Sequence, residues 1–215
     1  MGIEKNPADF LPSDVEAVVA SEWNYAARYN RQSEPRAILL AGQPGAGKTV
    51  LSSMLNKLLC GNVYFINADE YRRFHPNYKE LYARYGSDSV QMTSGFSGAV
   101  TERLIHETSE RGIHLIIEGT GRTTDVPHRT AELLVKKGYR VELAVIATRP
   151  EHSLCSTLLR FYEMNERGTI PRATAMEAHD YVVRVLPDNL DILRDDPVIS
   201  GITIWDRTPT KIYDS

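Results

Sequence analysis

Residues 42–49 read Gly-Gln-Pro-Gly-Ala-Gly-Lys-Thr, directly after the short unbroken apolar run Ala37–Ala41. No other string in the chain restricts the fold so strongly. Gly-x-x-x-x-Gly-Lys-Thr between a strand and a helix is the phosphate-binding P-loop. The glycines let backbone N–H groups wrap an anion, and the helix that follows presents its positive N-terminus to the same charge. Lys48 supplies a mobile cation for the β- and γ-phosphates, and Thr49 a hydroxyl for Mg²⁺. The residues expected to hold ATP are therefore Gly42, Gln43, Pro44, Gly45, Ala46, Gly47, Lys48 and Thr49.

Around this loop the pattern alternates. Apolar runs at Val63–Ile66, Ile113–Ile117, Val141–Ala147 and Ile202–Trp205 read as strands buried on both faces. Amphipathic segments at Lys48–Leu59, Ser97–Arg111 and Asp125–Lys137 read as helices, each followed by a glycine (Gly61, Gly112, Gly138) suited to a C-cap. An earlier helix is expected over Asp14–Asn30, then a polar link to Arg36 broken at Pro35. Near the C-terminus, Leu154, Leu158, Phe161 and Tyr162 make a helical stripe over 150–166. Gly168 and Pro171 break it, and Thr174 with Glu177 reads as a capping box for the next helix. The expected fold is α/β, a P-loop kinase fold with a mainly parallel sheet flanked by helices and a helical lid. One P-loop kinase domain is expected over 1–215, with an N-terminal helical extension at 1–35 and a lid at about 160–175.

Composition narrows the function class. A net charge of −3 gives no reason to expect nucleic-acid binding. No apolar run suits a bilayer span, and the N-terminus lacks a signal-peptide pattern, so a cytoplasmic location without membrane attachment is expected. The two cysteines, Cys60 and Cys155, are expected as buried thiols rather than a disulfide or metal pair. A GTPase should carry Asn-Lys-x-Asp, yet Asn56-Lys57 is followed by Leu-Leu. That leaves a kinase acting on a small acceptor, which needs a base, a carboxylate linked to Mg²⁺ and cations for the transferring phosphoryl.

Asp69, just past the Val63–Ile66 run, is the candidate base, with Glu70 a competitor for the role and a helix N-cap the plainer alternative. Glu118 closes the Ile113–Ile117 run as an apolar strand ended by an acid; it is the candidate carboxylate for orienting a Mg²⁺-bound water, beside the Thr49 hydroxyl, or a substrate contact. Thr120 and Arg122 follow in a polar loop at the same sheet edge, suited to an anionic acceptor. Arg160 and Arg172 flank the lid as candidate catalytic cations, with solvated surface arginines as the alternative. Rival readings are a kinase of another small acceptor (an amino sugar, a nucleoside or an antibiotic) and a non-catalytic ATP-binding interaction module.

Several strings together resemble the zeta-toxin family, the toxin halves of bacterial toxin–antitoxin pairs. They are the P-loop, Asp69-Glu-Tyr-Arg-Arg-Phe-His-Pro76, Thr101-Glu102, Ile117-Glu-Gly-Thr-Gly-Arg-Thr-Thr-Asp-Val-Pro127, Arg160-Phe-Tyr-Glu163, Arg172-Ala-Thr174, Ala178-His-Asp180 and Leu186-Pro187. The order is kept from about residue 36 onward. The resemblance implies phosphorylation by ATP of the 3′-hydroxyl of the amino sugar in UDP-N-acetylglucosamine, which blocks peptidoglycan synthesis. It also implies a small helical antitoxin as partner. By position it makes Asp69 the base, Lys48 the P-loop lysine, and Arg160 and Arg172 the phosphate-engaging arginines. Glu102, Glu118, Thr120 and Arg122 then line the nucleotide-sugar site.

Overall fold

The computed structural model describes residues 6–171 and 174–215. In chain order the elements are α1 (Pro12–Ala26), β1 (Arg36–Ala41), α2 (Lys48–Leu58), β2 (Val63–Asn67), α3 (Ala68–Tyr71), α4 (Tyr78–Tyr85), α5 (Ser89–Met92) and α6 (Ser94–Glu110). They continue with β3 (His114–Glu118), α7 (Asp125–Lys136), β4 (Arg140–Ile146), α8 (Pro150–Glu166), α9 (Met176–Arg194), β5 (Ile202–Trp205) and β6 (Lys211–Asp214).

The six strands lie in the order β2-β3-β1-β4-β5-β6. The first five are parallel, and β6 returns antiparallel to β5. Alternation along β1 explains why the sheet is covered on both faces. Ile38 and Leu40 point into a cluster with Leu51 and Leu55 of α2, Ile146 and Trp205. Ala37, Leu39 and Ala41 point the other way, into a larger cluster with Val18 of α1, Leu104 of α6, Leu134 of α7 and Leu186 of α9. A strand apolar at every position from Ala37 to Ala41 is what two covered faces require.

The chain departs to opposite sides of β1, towards β3 and towards β4, so β1 lies at the topological switch point. Open α/β sheets bind ligands in the crevice beyond the strand ends there. Register aligns that edge: Glu118 of β3 pairs with Leu40 of β1 and with Asn67 of β2. Gly119 N–H then donates to the Leu40 carbonyl at 2.8 Å, extending the ladder one step past Glu118.

Two stretches carry no expectation, and three expectations need correction. Tyr71–Met92, which shows little periodicity, folds as short helices and 3₁₀ turns, and β6 has no counterpart in the expected strands. On α8 the apolar stripe is not the buried face: Leu158 and Tyr162 are exposed, while Ser153 and Thr157 face inward. α8 packs against a glycine of the phosphate loop, where only small side chains fit. Thr174 is not the cap of α9; Ala175 takes the N-cap position, and the Thr174 hydroxyl faces Arg160 Nη2 at 3.4 Å. Finally, Cys60 and Cys155 are both exposed rather than buried. Cys60 follows the end of α2 with a φ of +55°, and Gly61 beside it has a φ of +71°. No helix among the described residues is long and apolar enough to cross a membrane.

Candidate active site

The loop between β1 and α2 turns on glycines. Gly45 and Gly47 have φ values of +76° and +106°, and Gly47 is the N-cap of α2. No cap side chain occupies the first N–H groups of α2, the arrangement in which a helix N-terminus receives an anion. Lys48 curls back over the loop, donating to the Gly42 carbonyl at 2.8 Å and more weakly to the Gln43 carbonyl at 3.3 Å.

Across from it stands Glu118, with Lys48 Nζ 3.8 Å from its Oε1. Both side chains are mostly enclosed, at 10% and 16% exposure. Burial pushes the Lys48 ammonium below the ordinary lysine range, and the Glu118 charge opposes this. Burial pushes the Glu118 carboxyl above its usual range, against the opposing pull of Lys48 and with a further upward push from Asp69. Arg160 acts electrostatically on both Lys48 and Glu118. One electrostatic unit thus contains Lys48, Glu118, Asp69 and Arg160, supplied by α2, β3, α3 and α8. Neither buried charge is fully compensated by its partner, so an anion beside Lys48 or a cation beside Glu118 would stabilise the charged forms.

Two residues that the sequence reasoning missed order this edge. Asn67, the last residue of β2, donates from Nδ2 to Glu118 Oε2 at 3.3 Å and accepts from Asp69 N–H at 3.0 Å. It is therefore Asn67, not Asp69, that caps α3. Arg72 donates from Nε to Asp69 Oδ1 at 2.9 Å and from Nη1 to the Val90 carbonyl at 2.6 Å. Arg72 so ties Asp69 to the segment before α6, and Asp69 keeps a half-exposed carboxylate. The signal for Asn67 was present as a polar residue ending an apolar strand beside an acid. Nothing in the spacing distinguished Arg72 from Arg73.

The loop after β3 is shaped by α9. Asn189 Nδ2 donates to the Gly121 carbonyl at 2.8 Å. Gly121 has a φ of +73°, and a Cβ there would stand 2.5 Å from Leu186 Cδ1. Thr120 is half-buried and Arg122 exposed on this loop, next to Glu118. Glu102 is exposed on α6, and no hydrogen bond or ion pair links it to Glu118 among the described residues. Arg172 lies outside the described residues. Arg207, in the turn between β5 and β6, is a further cation beside the loop; a Cβ on Gly47 would lie 3.5 Å from its Cγ.

Thr49 and Glu118 are the candidate metal contacts. Among the described residues, no group of three or more His, Cys, Asp or Glu side chains could hold a metal. One hydroxyl and one buried carboxylate fit an ion such as Mg²⁺, which takes one or two carboxylates and completes its shell with phosphate oxygens and water.

The zeta-toxin profile matches residues 20–215. Toxin PezT of Streptococcus pneumoniae is 42% identical over 209 residues, which is 96% of this chain and 83% of that protein. Toxin zeta of Streptococcus pyogenes is 41% identical over 182 residues, which is 84% of this chain and 63% of that protein. Among solved structures, one from the PezAT chromosomal toxin–antitoxin system of Streptococcus pneumoniae superimposes with a TM-score of 0.87 at 38% identity, covering 97% of this chain and 83% of its own. The AvrRxo1-ORF1:AvrRxo1-ORF2 complex with ATP superimposes with a TM-score of 0.62 at 16% identity, covering 96% of this chain and 68% of its own, a likeness of fold.

Proposed function

The chain belongs to the zeta-toxin family, and on that premise we propose that it is an ATP-dependent kinase of the 3′-hydroxyl of the amino sugar in UDP-N-acetylglucosamine, a toxin acting on peptidoglycan synthesis. The observation that carries this reading is the enclosed pair of Lys48 and Glu118, 3.8 Å apart where the phosphate loop meets the sheet edge, with Asp69 and Arg160 acting electrostatically on it. A phosphoryl-transfer site needs a cation under the phosphates, a carboxylate near the acceptor oxygen and a cation over the γ-phosphate.

In this reading the backbone of 42–49 cradles the ATP phosphates, and Lys48 exchanges its loop carbonyls for phosphate oxygens. Asp69, oriented by Arg72, takes the proton of the sugar hydroxyl as its oxygen attacks the γ-phosphoryl. The bond to the β-phosphate oxygen breaks, and ADP leaves. Arg160 and Arg172 neutralise the charge spread over the transferring group. Mg²⁺, when bound, supplies further charge neutralisation at the phosphates; Thr49 and Glu118 are the residues that would hold it. Glu102, Glu118, Thr120 and Arg122 line the sugar-nucleotide side. The protein partner in this reading is a small helical antitoxin; the solved PezAT toxin–antitoxin system supports an antitoxin partner.

The test is ADP release from ATP with and without UDP-N-acetylglucosamine. Acceptor-dependent release is expected, and equal release under both conditions would remove the proposed acceptor. Asp69→Ala should abolish transfer while ATP still binds; full turnover by that variant would displace Asp69 as the base.

A further inference from the structure

The string Ala178-His179-Asp180 takes no part in the mechanism above, yet His179 is 0% exposed in the first turn of α9. Its Nε2 lies 2.7 Å from Ser153 Oγ of α8, and its Nδ1 lies 2.8 Å from Asp180 Oδ1. A carboxylate only accepts, so Nδ1 carries a proton. Nε2 then accepts from the Ser153 hydroxyl if the ring is neutral and donates to it if the ring is charged.

Ser153 is equally buried. Its Oγ lies 2.9 Å from the Pro150 carbonyl and 3.4 Å from Gln43 Nε2. Gln43, 4% exposed, donates to the Thr148 carbonyl at 2.6 Å. The Thr148 hydroxyl in turn donates to the Ala46 carbonyl at 2.8 Å. A continuous buried polar chain therefore runs from α9 through α8 into the phosphate loop. A second observation points to the same place: a Cβ on Gly45 would stand 2.0 Å from the Ser153 carbonyl oxygen. Ser153 is where α8 presses on the loop, and His179 is what holds Ser153. An imidazole, a hydroxyl and an amide are costly to bury unless paired, and an apolar trio would fill the space without that penalty.

We propose that His179 is a positioning residue for the phosphate loop. Through Ser153 it fixes Gln43 and Gly45, so the loop's N–H groups are aimed before a nucleotide arrives. The proposal rests on the reading of this loop as an ATP site.

The test is titration of a fluorescent ATP analogue against the full chain and its Ser153→Ala, His179→Asn, His179→Gln and doubly substituted Ser153→Ala/His179→Asn forms, with a melting curve for each. Loss of one such bond should weaken binding about tenfold. Ser153→Ala and His179→Asn should each show that loss, and the double variant should show no more than His179→Asn. His179→Gln places an amide near the Nε2 position and should recover most of the affinity. If His179→Asn does not fold, Ser153→Ala, which deletes one oxygen, carries the test. Equal affinity in folded Ser153→Ala and wild type overturns the proposal. So do losses that add in the double variant and follow melting temperature alone. Failure of the wild type to bind the analogue would instead remove the ATP reading, and this proposal with it.

Discussion

Gly45→Ala separates backbone strain from steric pressure, because Gly138 provides a matched control. The two glycines have φ values of +76° and +84°. An alanine at either site accepts a left-handed backbone, at about 1–2 kcal/mol. Around Gly138 nothing lies within 4 Å of the added carbon. Gly138→Ala should therefore lower stability by that amount and leave nucleotide binding alone. At Gly45 the new carbon would meet Ser153 O at 2.0 Å, Ser153 C at 2.9 Å and Thr157 Cγ2 at 2.9 Å. The first two are backbone atoms of α8, which cannot turn aside as a side-chain tip can. Overpacking of this kind adds roughly 1–3 kcal/mol, for a combined loss of about 2–5 kcal/mol. The loop must also shift away from α8, so ATP affinity should fall at least about tenfold, the equivalent of one misaimed hydrogen bond. Urea unfolding gives the stabilities, and a nucleotide titration gives the affinities. If the two variants lose equal stability and bind ATP equally well, contact between α8 and the loop does not shape the site.

Further expectations concern single side chains. Arg160→Ala should lower the transfer rate roughly 10³-fold while ATP affinity changes much less; steady-state kinetics with both substrates decides this, and an effect confined to affinity would move Arg160 off the transferring group. Asp206 accepts from Thr210 N–H at 2.8 Å and from Thr208 N–H at 2.9 Å and its hydroxyl at 2.8 Å, bonds that hold its carboxyl below the usual range. A depressed folded value means stability present above the ordinary aspartate range and lost as pH falls through the folded value. Asp206→Asn should thus lower the urea midpoint at neutral pH, with the gap closing as pH falls below the ordinary aspartate range; a gap independent of pH would refute the assignment. Cys60 and Cys155, both exposed, should each react with a thiol reagent in the native protein, and protection of either until denaturant is added would contradict the fold at α2 or α8.

How legible the molecule was depends on the range of the interaction concerned. β5 was read with its observed limits, and the C-cap glycines Gly61, Gly112 and Gly138 all have positive φ. Those features follow from local pattern and local sterics. A glycine loop and a strand end mark Lys48 and Glu118 in the sequence, and the structure places the two 3.8 Å apart. Arg72 carries no such mark, since its value lies in reaching the Val90 carbonyl, which spacing does not reveal. On α8 the apolar period gave the wrong face. What decides which face is buried there is a glycine loop more than a hundred positions earlier in the chain, and periodicity carries no information about a partner's shape. Pro187 inside α9 is similar, for a proline normally signals a helix end.

The rung formed by Leu40, Glu118 and Asn67 has a consequence for motion. Gly119 N–H closes onto Leu40 O beside the central strands of a six-stranded sheet, so its amide proton should exchange more slowly than those of the loop that follows it. The acidic wall of the crevice is in that sense backed by the sheet. α8 has no such backing: its outer apolar residues face water, and its hold on the loop rests on Ser153 and Thr157. Whatever adjustment a nucleotide requires on entry must therefore come from the helices over the crevice, with the sheet edge serving as the fixed reference against which they move.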